Sequence, residues 1–273
     1  MHRFYVDGCS ASDKSIRITG EDVNHILNVL RLGVNDEIVV SDGSSRDFEC
    51  RIAEINTQGE GYIVANIVDM HDNNAELPAD IYLFQGVPKG DKMETIIQKC
   101  VELGVYSVIP VMMERTIVKL DDKKKDKKIA RYNLISESAS KQSRRGILPK
   151  VMDYMTMDEA ISFAESQMDV ILFPYEFAEG MDASRKVINE LVDDIVADYQ
   201  KCDVVSGDMA SSNMEKKSIG IFIGPEGGFA DSEARALEDI GAKTISLGHR
   251  ILRTETAGMT VMSILSFLLD IDS

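Results

Sequence analysis

Cysteine and histidine are scarce in this 273-residue chain. Cys9, Cys50, Cys100 and Cys202 are scattered with no C-x-x-C pair, and His2, His25, His71 and His249 are equally dispersed. Neither a disulfide framework nor a zinc site is therefore expected. Long apolar runs are also missing. The longest, Val261–Leu269, is too short and too interrupted to span a bilayer. The opening Met1-His-Arg-Phe-Tyr-Val has no apolar h-region, so no secretory signal is expected. There is no G-x-x-x-x-G-K-[S/T], which argues against a P-loop, and no G-x-G-x-x-G follows a strand, so an ordinary dinucleotide fold lacks its fingerprint. These absences lead to an expectation of a reduced, cytoplasmic, metal-free and membrane-free protein.

Hydrophobic content of 44% and charged content of 28% suit a globular chain of one large or two ordinary domains. A net charge of −16 argues at first against a nucleic-acid partner, because phosphate binding leaves a basic footprint. The average hides a polarity. From Lys119 to Lys150 eleven Lys or Arg face four Asp or Glu, whereas from Val151 to Glu215 three basic residues face fifteen acidic ones. Such a run is either a solvated face or a phosphate-binding surface, and net charge does not choose between them.

Residues 1 to about 70 read as β-rich. Arg3–Val6, Ser15–Ile18, Glu37–Ser41, Phe48–Ile55 and Gly61–Val68 partly alternate, and one helix, Glu21–Leu32, sets Val23, Ile26, Leu27 and Leu30 on one face. This pattern suggests a small barrel. His71–Pro78 is polar, ends in proline and reads as a linker. From Ala79 strands and helices alternate, as in an α/β sheet. The strands are Ile81–Gln85, Val108–Met113, Val170–Pro174, Ser218–Phe222 and Thr244–Ser246. The helices are Lys92–Leu103, Lys124–Gln142, an acidic Ala183–Tyr199 and Thr254–Leu269. Polar Lys201–Lys217 reads as a loop. We expect domains at residues 1–72 and 73–273.

Two glycine-bearing stretches carry the most information: Ile223-Gly-Pro-Glu-Gly-Gly-Phe229 and Leu247-Gly-His-Arg-Ile-Leu-Arg-Thr-Glu-Thr-Ala257. Each follows a strand and leads into a helix, where Asp231 can cap one and Thr254 or Thr256 the other. Glycine lets main-chain groups approach a ligand closely, and loops at the carboxyl ends of strands are where α/β sheets bind ligands. The plain alternative for the first is a tight turn whose Glu226 complements a helix dipole. The second crowds Arg250, Arg253 and Glu255 beside glycine and threonine, where a turn needs no charge.

With these two motifs the chain resembles the RsmE group of 16S rRNA uridine-N3 methyltransferases of the SPOUT superfamily. Further matches are Lys89-Gly-Asp-Lys-Met93, Gln98–Val105, Glu114-Arg-Thr116, Gln142-Ser-Arg-Arg145, Met1–Phe4, His25 and Val29-Leu-Arg31, so nearly the whole chain is covered. Lys141 departs from the pattern, standing where an acidic residue is expected, and the stretch near Lys201–Lys217 is longer than the group's usual connection.

The resemblance implies a PUA-like RNA-binding β-barrel followed by an α/β domain closed by a deep trefoil knot. S-adenosylmethionine would lie in the knot against Ile223, Gly224, Pro225, Glu226, Gly227, Gly228, Leu247, Gly248, Ile251, Leu252, Thr256 and Ala257, with Leu172 and Phe173 in a third wall. It also implies a homodimer acting on 16S rRNA, or the assembled 30S particle. Methylating uracil N3 requires removing an imide proton and stabilising charge on the ring carbonyls. Arg253 is the first choice for the charge, and Glu255 or Glu226 for the proton, provided burial raises its pKa. Lys89, Arg115, Arg144 and Arg145 would hold RNA phosphate, with Arg3, His25 and Arg31 as the barrel's contribution. The last helix would serve both the pocket and the dimer, its apolar face (Met259, Met262, Leu265, Leu268, Leu269) being wider than one sheet contact needs. A non-catalytic ribosome-assembly factor and a tRNA methyltransferase are the competing readings.

Overall fold

The computed structural model describes residues 1–10, 12–118, 121–176, 178–205 and 216–270. The chain divides into two compact units: Met1–Glu76 with Ser140–Leu148, and Leu77–Ala139 with Pro149–Ser273.

The first unit is a five-stranded mixed sheet in the order β1-β3-β4-β5-β2, formed by β1 (His2–Tyr5), β2 (Ser15–Ile18), β3 (Glu37–Ser41), β4 (Arg46–Asn56) and β5 (Tyr62–Asp72). Only the β1–β3 pair is parallel. Alternation brings Phe4, Ile16, Ile18, Ile38, Val40, Phe48, Ile52 and Ile63 onto one buried layer, with Ile26 beneath them. The helix expected over Glu21–Leu32 is shorter. α1 (Glu21–Asn24) gives way to a wider π-turn, His25–Val29, and Arg31 takes a left-handed φ of 56°. The expected linker is partly structural: β5 runs to Asp72, and Glu76 accepts both Arg145 Nε (2.8 Å) and the Gly146 amide (2.8 Å). That bond network is why residues 140–148 belong to this unit. A side chain at Gly146 would collide with Asn73 and Ser45 at 2.9 Å.

The second unit is a seven-stranded, wholly parallel sheet in the order β12-β10-β11-β6-β7-β8, with β9 also on β7. Its strands are β6 (Ala79–Gly86), β7 (Ser107–Met112), β8 (Lys150–Val151), β9 (Met155–Thr156), β10 (Val170–Pro174), β11 (Lys217–Ile223) and β12 (Lys243–Ile245). The central strands read as continuous apolar runs because both faces are covered. One layer joins Met93, Ile96, Ile97, Val192, Met262 and Leu265 of α2 (Lys92–Glu102), α5 (Met181–Val205) and α7 (Thr254–Leu269). The other sets Phe84 stacked on Phe222 at 4.3 Å, with Phe173 and Phe229, beneath α4 (Met157–Gln167) and α6 (Asp231–Asp239). α3 spans Asp122–Ser143. α4 was not expected from the sequence, although Thr156 and Glu159 form a capping box at its start. Of the expected loop 201–217, residues 201–205 extend α5 and Lys217 begins β11. Residues 206–215, like Lys119 and Leu120 of the basic run, lie outside the described residues.

Candidate functional site

β6 and β11 are neighbours, and both end at the first glycine loop. Gly86, the last residue of β6, allows that loop to pass: a Cβ there would stand 2.6 Å from Pro225 N and 2.9 Å from Gly224 C. The loop closes on itself through Gly228 N–H to Pro225 O (2.9 Å), with Gly228 at φ 69°. Arg115 Nη1 donates to Gly227 O (3.0 Å), so a side chain at Gly227 would meet Arg115 Cβ at 3.0 Å. Arg115 thus holds this loop.

The second loop leaves β12, turns at Gly248 (φ 107°) and delivers Arg253 as the N-cap of α7. Thr254 is the first helical residue rather than the cap. Its buried hydroxyl donates to Gly224 O (2.6 Å) and accepts from Gln85 Nε2 (2.8 Å), which ties both glycine loops to the end of β6. At α6 the N-cap is Ala230, not Asp231, and buried Glu233 accepts its amide at 2.8 Å. Nothing lies within 4 Å of where a Cβ would stand at Gly228 or Gly248. Among the described residues, the amides of Leu247, His249, Ile251 and Leu252 have no hydrogen-bond partner. Open space beside unengaged main-chain donors fits the adenosyl group of S-adenosylmethionine, with Ile223–Gly228 on one side and Leu247–Leu252 on the other. Leu172 and Phe173, expected in a third wall, are fully buried in opposite layers of the core, so only their main chain could contribute. The Ile251 side chain is 94% exposed, Thr256 is exposed and Ala257 half-buried.

Lys92, the first residue of α2, stands between the two carboxylates expected to carry chemistry. Its Nζ lies 2.8 Å from Glu226 Oε1 and 3.5 Å from Glu255 Oε2. Glu226 Oε1 also accepts the Lys89 amide (3.1 Å). Burial pushes the Glu226 pKa up, but the hydrogen bonds from Lys92 and Lys89 outweigh it and the net direction is down. That is opposite to what a proton acceptor near neutrality needs, so the geometry makes Glu226 a loop anchor. The hydrogen bond to Glu226 correspondingly raises the pKa of Lys92. Glu255 Oε2 is buried and has no hydrogen-bond partner. Arg253 is exposed, and its side chain has no partner among the described residues. Sequence reasoning did not single out Lys92, Gln85, Gly86 or Thr254's relay; only Lys89-Gly-Asp-Lys-Met93 hinted at the first.

The basic residues of the first unit fall into two groups. Arg3 forms a two-pronged pair with Asp47 (2.7 and 2.5 Å) and also donates to Arg145 O (3.1 Å). Arg145 is buried and pairs with Glu76 at 2.8 and 2.6 Å. Both were expected to contact RNA, and both are instead engaged in building the unit. His25, Arg31 and Arg144 are exposed, as are Lys89 and Arg115 in the second unit. Arg144 sits just beyond α3 with a left-handed φ of 59°, and the Arg145 amide returns to Ser140 O (3.1 Å), which closes a Schellman turn. Lys141 pairs with Asp22 (2.9 Å), which accounts for a basic residue there. On α7, Met262, Leu265 and Leu269 face the core rather than solvent, and Phe267 is the large apolar side chain left 83% exposed. Among the described residues no cluster could hold a metal ion, and no helix is long and apolar enough to cross a membrane.

Comparison with known proteins agrees with this arrangement. Residues 75–266 match the model of the RNA methyltransferase domain, and residues 18–59 match that of the RNA methyltransferase PUA domain. The chain is 34% identical over 250 residues to ribosomal RNA small subunit methyltransferase E of Bacillus subtilis, covering 92% of this chain and 89% of that protein. It is 26% identical to the same-named protein of Synechocystis, over 94% of this chain and 75% of that one. The crystal structure of the Neisseria gonorrhoeae ribosomal RNA small subunit methyltransferase E bound to S-adenosyl methionine superposes with a TM-score of 0.74 at 27% identity, covering 98% of each chain. An RNA methyltransferase domain over most of the length, a PUA domain ahead of it and this relatedness together mean that the chain belongs to the ribosomal RNA small subunit methyltransferase E family.

Proposed function

We propose that this protein transfers a methyl group from S-adenosylmethionine to N3 of one uridine in 16S rRNA within the assembled 30S particle, in the cytoplasm. The observation that carries the reading is the pair of glycine loops held together through Thr254, Gln85 and Lys92, with open space and unengaged amides beside them. When bound, the cofactor supplies an activated methyl group. The protein's work is then positioning and electrostatics. The Leu247–Leu252 main chain reads the adenine. Arg253, whose side chain has no partner among the described residues, stabilises charge spreading onto the uracil carbonyls. Glu255, whose Oε2 is buried and unbonded, takes the N3 proton.

Three structural features belong to this proposal. The first unit's sheet closes as a PUA-like barrel that grips RNA through His25, Arg31 and Arg144, while Lys89 and Arg115 hold phosphate near the cofactor. The second unit is knotted. After β12, at one end of the sheet, the chain returns past β10 so that Thr254 reaches Gly224, just after β11, and Gln85 on β6; the knot would thread this return through an earlier loop. Two copies associate through α7, where Phe267 presents an apolar surface.

Mapping methylated uridines in small-subunit RNA from cells with and without the gene tests the activity. A single uridine-N3 methyl group should vanish on deletion and return with the wild-type chain. In vitro, methylation of 30S particles but not of free 16S rRNA is the expected pattern. An unchanged methylation map would overturn the proposal.

A further inference from the structure

We infer that Lys92 is a positioning residue for methyl transfer, tying the Glu226 loop to Glu255 and holding Glu255 Oε2 as a buried carboxylate oxygen ready to accept a proton. The inference rests on the reading of Glu255 as proton acceptor. Two carboxylates, Glu226 and Glu255, converge from different loops on one ammonium, at 2.8 and 3.5 Å. Without that ammonium, the two carboxylates would face each other with no charge between them, and their repulsion would favour a proton on one of them. A protonated Glu255 could not act as base. Glu226 has a second donor in the Lys89 amide, whereas Glu255 Oε2 has no hydrogen bond. Lys92 therefore hydrogen-bonds Glu226 and stands 3.5 Å from Glu255 Oε2, which it leaves uncommitted.

The step balances without a further reactant. The N3 proton passes to Glu255 Oε2, the N3 electron pair bonds to the methyl carbon, and the carbon–sulfur pair stays on sulfur. Other charged residues of the surrounding segments are Lys89 and Asp91 before α2, Arg115 beside Gly227, and Arg250 and Arg253 before α7. All five are exposed, so water screens them more than it screens half-buried Lys92.

The test uses full-length protein and small-subunit particles in single-turnover assays from pH 5.5 to 9, roughly the range over which a perturbed carboxylate titrates. The variants are Lys92→Met, Lys92→Gln, Lys92→Arg and Glu255→Gln. Losing the charge should move the acid limb of the rate up by about one pH unit, the low end of the shift one adjacent charge produces. The deficit should therefore be about tenfold below the limb and shrink as pH rises, and Lys92→Arg should restore the wild-type profile. Lys92→Gln keeps a donor to Glu226, so it serves where Lys92→Met fails to fold. Carbon-13 NMR of glutamate-labelled protein gives a readout independent of turnover: the carboxyl signal lost in Glu255→Gln should titrate higher in Lys92→Gln. A Glu255→Gln enzyme with wild-type rate would overturn the proton-acceptor reading itself. A slow Glu255→Gln beside a Lys92→Gln whose rate falls equally at every pH, with an unmoved carboxyl signal, would overturn the role of Lys92 alone.

Discussion

Replacing Thr254 by valine keeps the side chain's shape and removes only the hydroxyl that joins the two glycine loops. Thr254 is 6% exposed and Gln85 fully buried, so water does not replace the bond to Gln85, and it reaches half-buried Gly224 only in part. Gly224 O loses its partner, and Gln85 Nε2 keeps only its bond to Gly86 O (3.0 Å). An unpaired buried group costs about 1–3 kcal/mol; Gly224 O is left unpaired and Gln85 Nε2 only half-paired, so the total should be about 2–4 kcal/mol. In a domain of this size, 1 kcal/mol lowers Tm by about 2–4 °C, which places the drop at roughly 4–16 °C. Thr254→Ser keeps the hydroxyl and loses one buried methyl, worth about 1 kcal/mol, so its Tm should fall by only about 2–4 °C. Thermal melts followed by circular dichroism, with and without S-adenosylhomocysteine, make the comparison. Valine should also weaken ligand stabilisation, because the first loop is no longer pinned to α7. If the valine and serine variants melt together, the hydroxyl relay is not what holds the loops.

Gly227→Val should abolish binding of S-adenosylhomocysteine by displacing Arg115, which touches the position where a Cβ would stand. Adding Arg115→Ala should recover part of the affinity measured by calorimetry, and a double variant that binds no better would exclude the clash as the cause. Arg253→Ala should cut the single-turnover rate by roughly 10²–10³, as for one lost oxyanion donor, with little change in cofactor affinity; near-normal turnover would refute its role. Arg144→Gly should leave stability unchanged or raise it by about 1 kcal/mol, because glycine takes the left-handed conformation without the cost a side chain incurs. The same change should flatten the salt dependence of RNA binding by about one unit of slope, and an unchanged slope would show that Arg144 touches no phosphate. Phe267→Glu should lower dimerisation in analytical ultracentrifugation, and a variant that sediments as wild type would place any interface elsewhere.

Parts of this arrangement were legible because their causes are local. β6, β10 and β11 are buried on both faces, so each reads as an unbroken apolar run between polar stretches. Gly228 and Gly248 take a positive φ beside open space, and a Cβ at Gly224 would press on the Gly228 backbone at 3.0 Å. The residues that lock the loops together were not legible, because their partners are distant in sequence. Lys92 and Glu226 are 134 positions apart, and Gln85 and Thr254 are 169 apart. No spacing rule links such pairs until the sheet order sets β6 beside β11. Gly86 looks like an ordinary strand end until Pro225 crosses it. The apolar face expected to serve both pocket and dimer divides: Met262, Leu265 and Leu269 meet the core, because α7 packs against α2, β6 and β11, while Met259 and Leu268 are half-buried.

The arginines of the first unit show how an acidic protein can retain a local footing for phosphate. Arg144 and Arg145 are adjacent, yet one is exposed and the other is 2% exposed. A helical continuation past Ser143 would have placed them about 100° apart on one helix surface. The left-handed turn at Arg144 instead ends α3 and sends Arg145 inward to Glu76. Arg31 repeats the device after the π-turn at His25–Val29, again exposed and again at positive φ. Glycine is the low-cost residue at both positions, and a side chain there costs about 1–2 kcal/mol of backbone strain. Strain kept at two exposed arginines, while Arg3 and Arg145 have carboxylate partners, is what a division of labour would produce. The buried arginines fold the unit and bring Asp47 and Glu76 to local neutrality, and the exposed ones keep their charge available. A net charge of −16 therefore describes the chain's average and not the surface around Arg31 and Arg144.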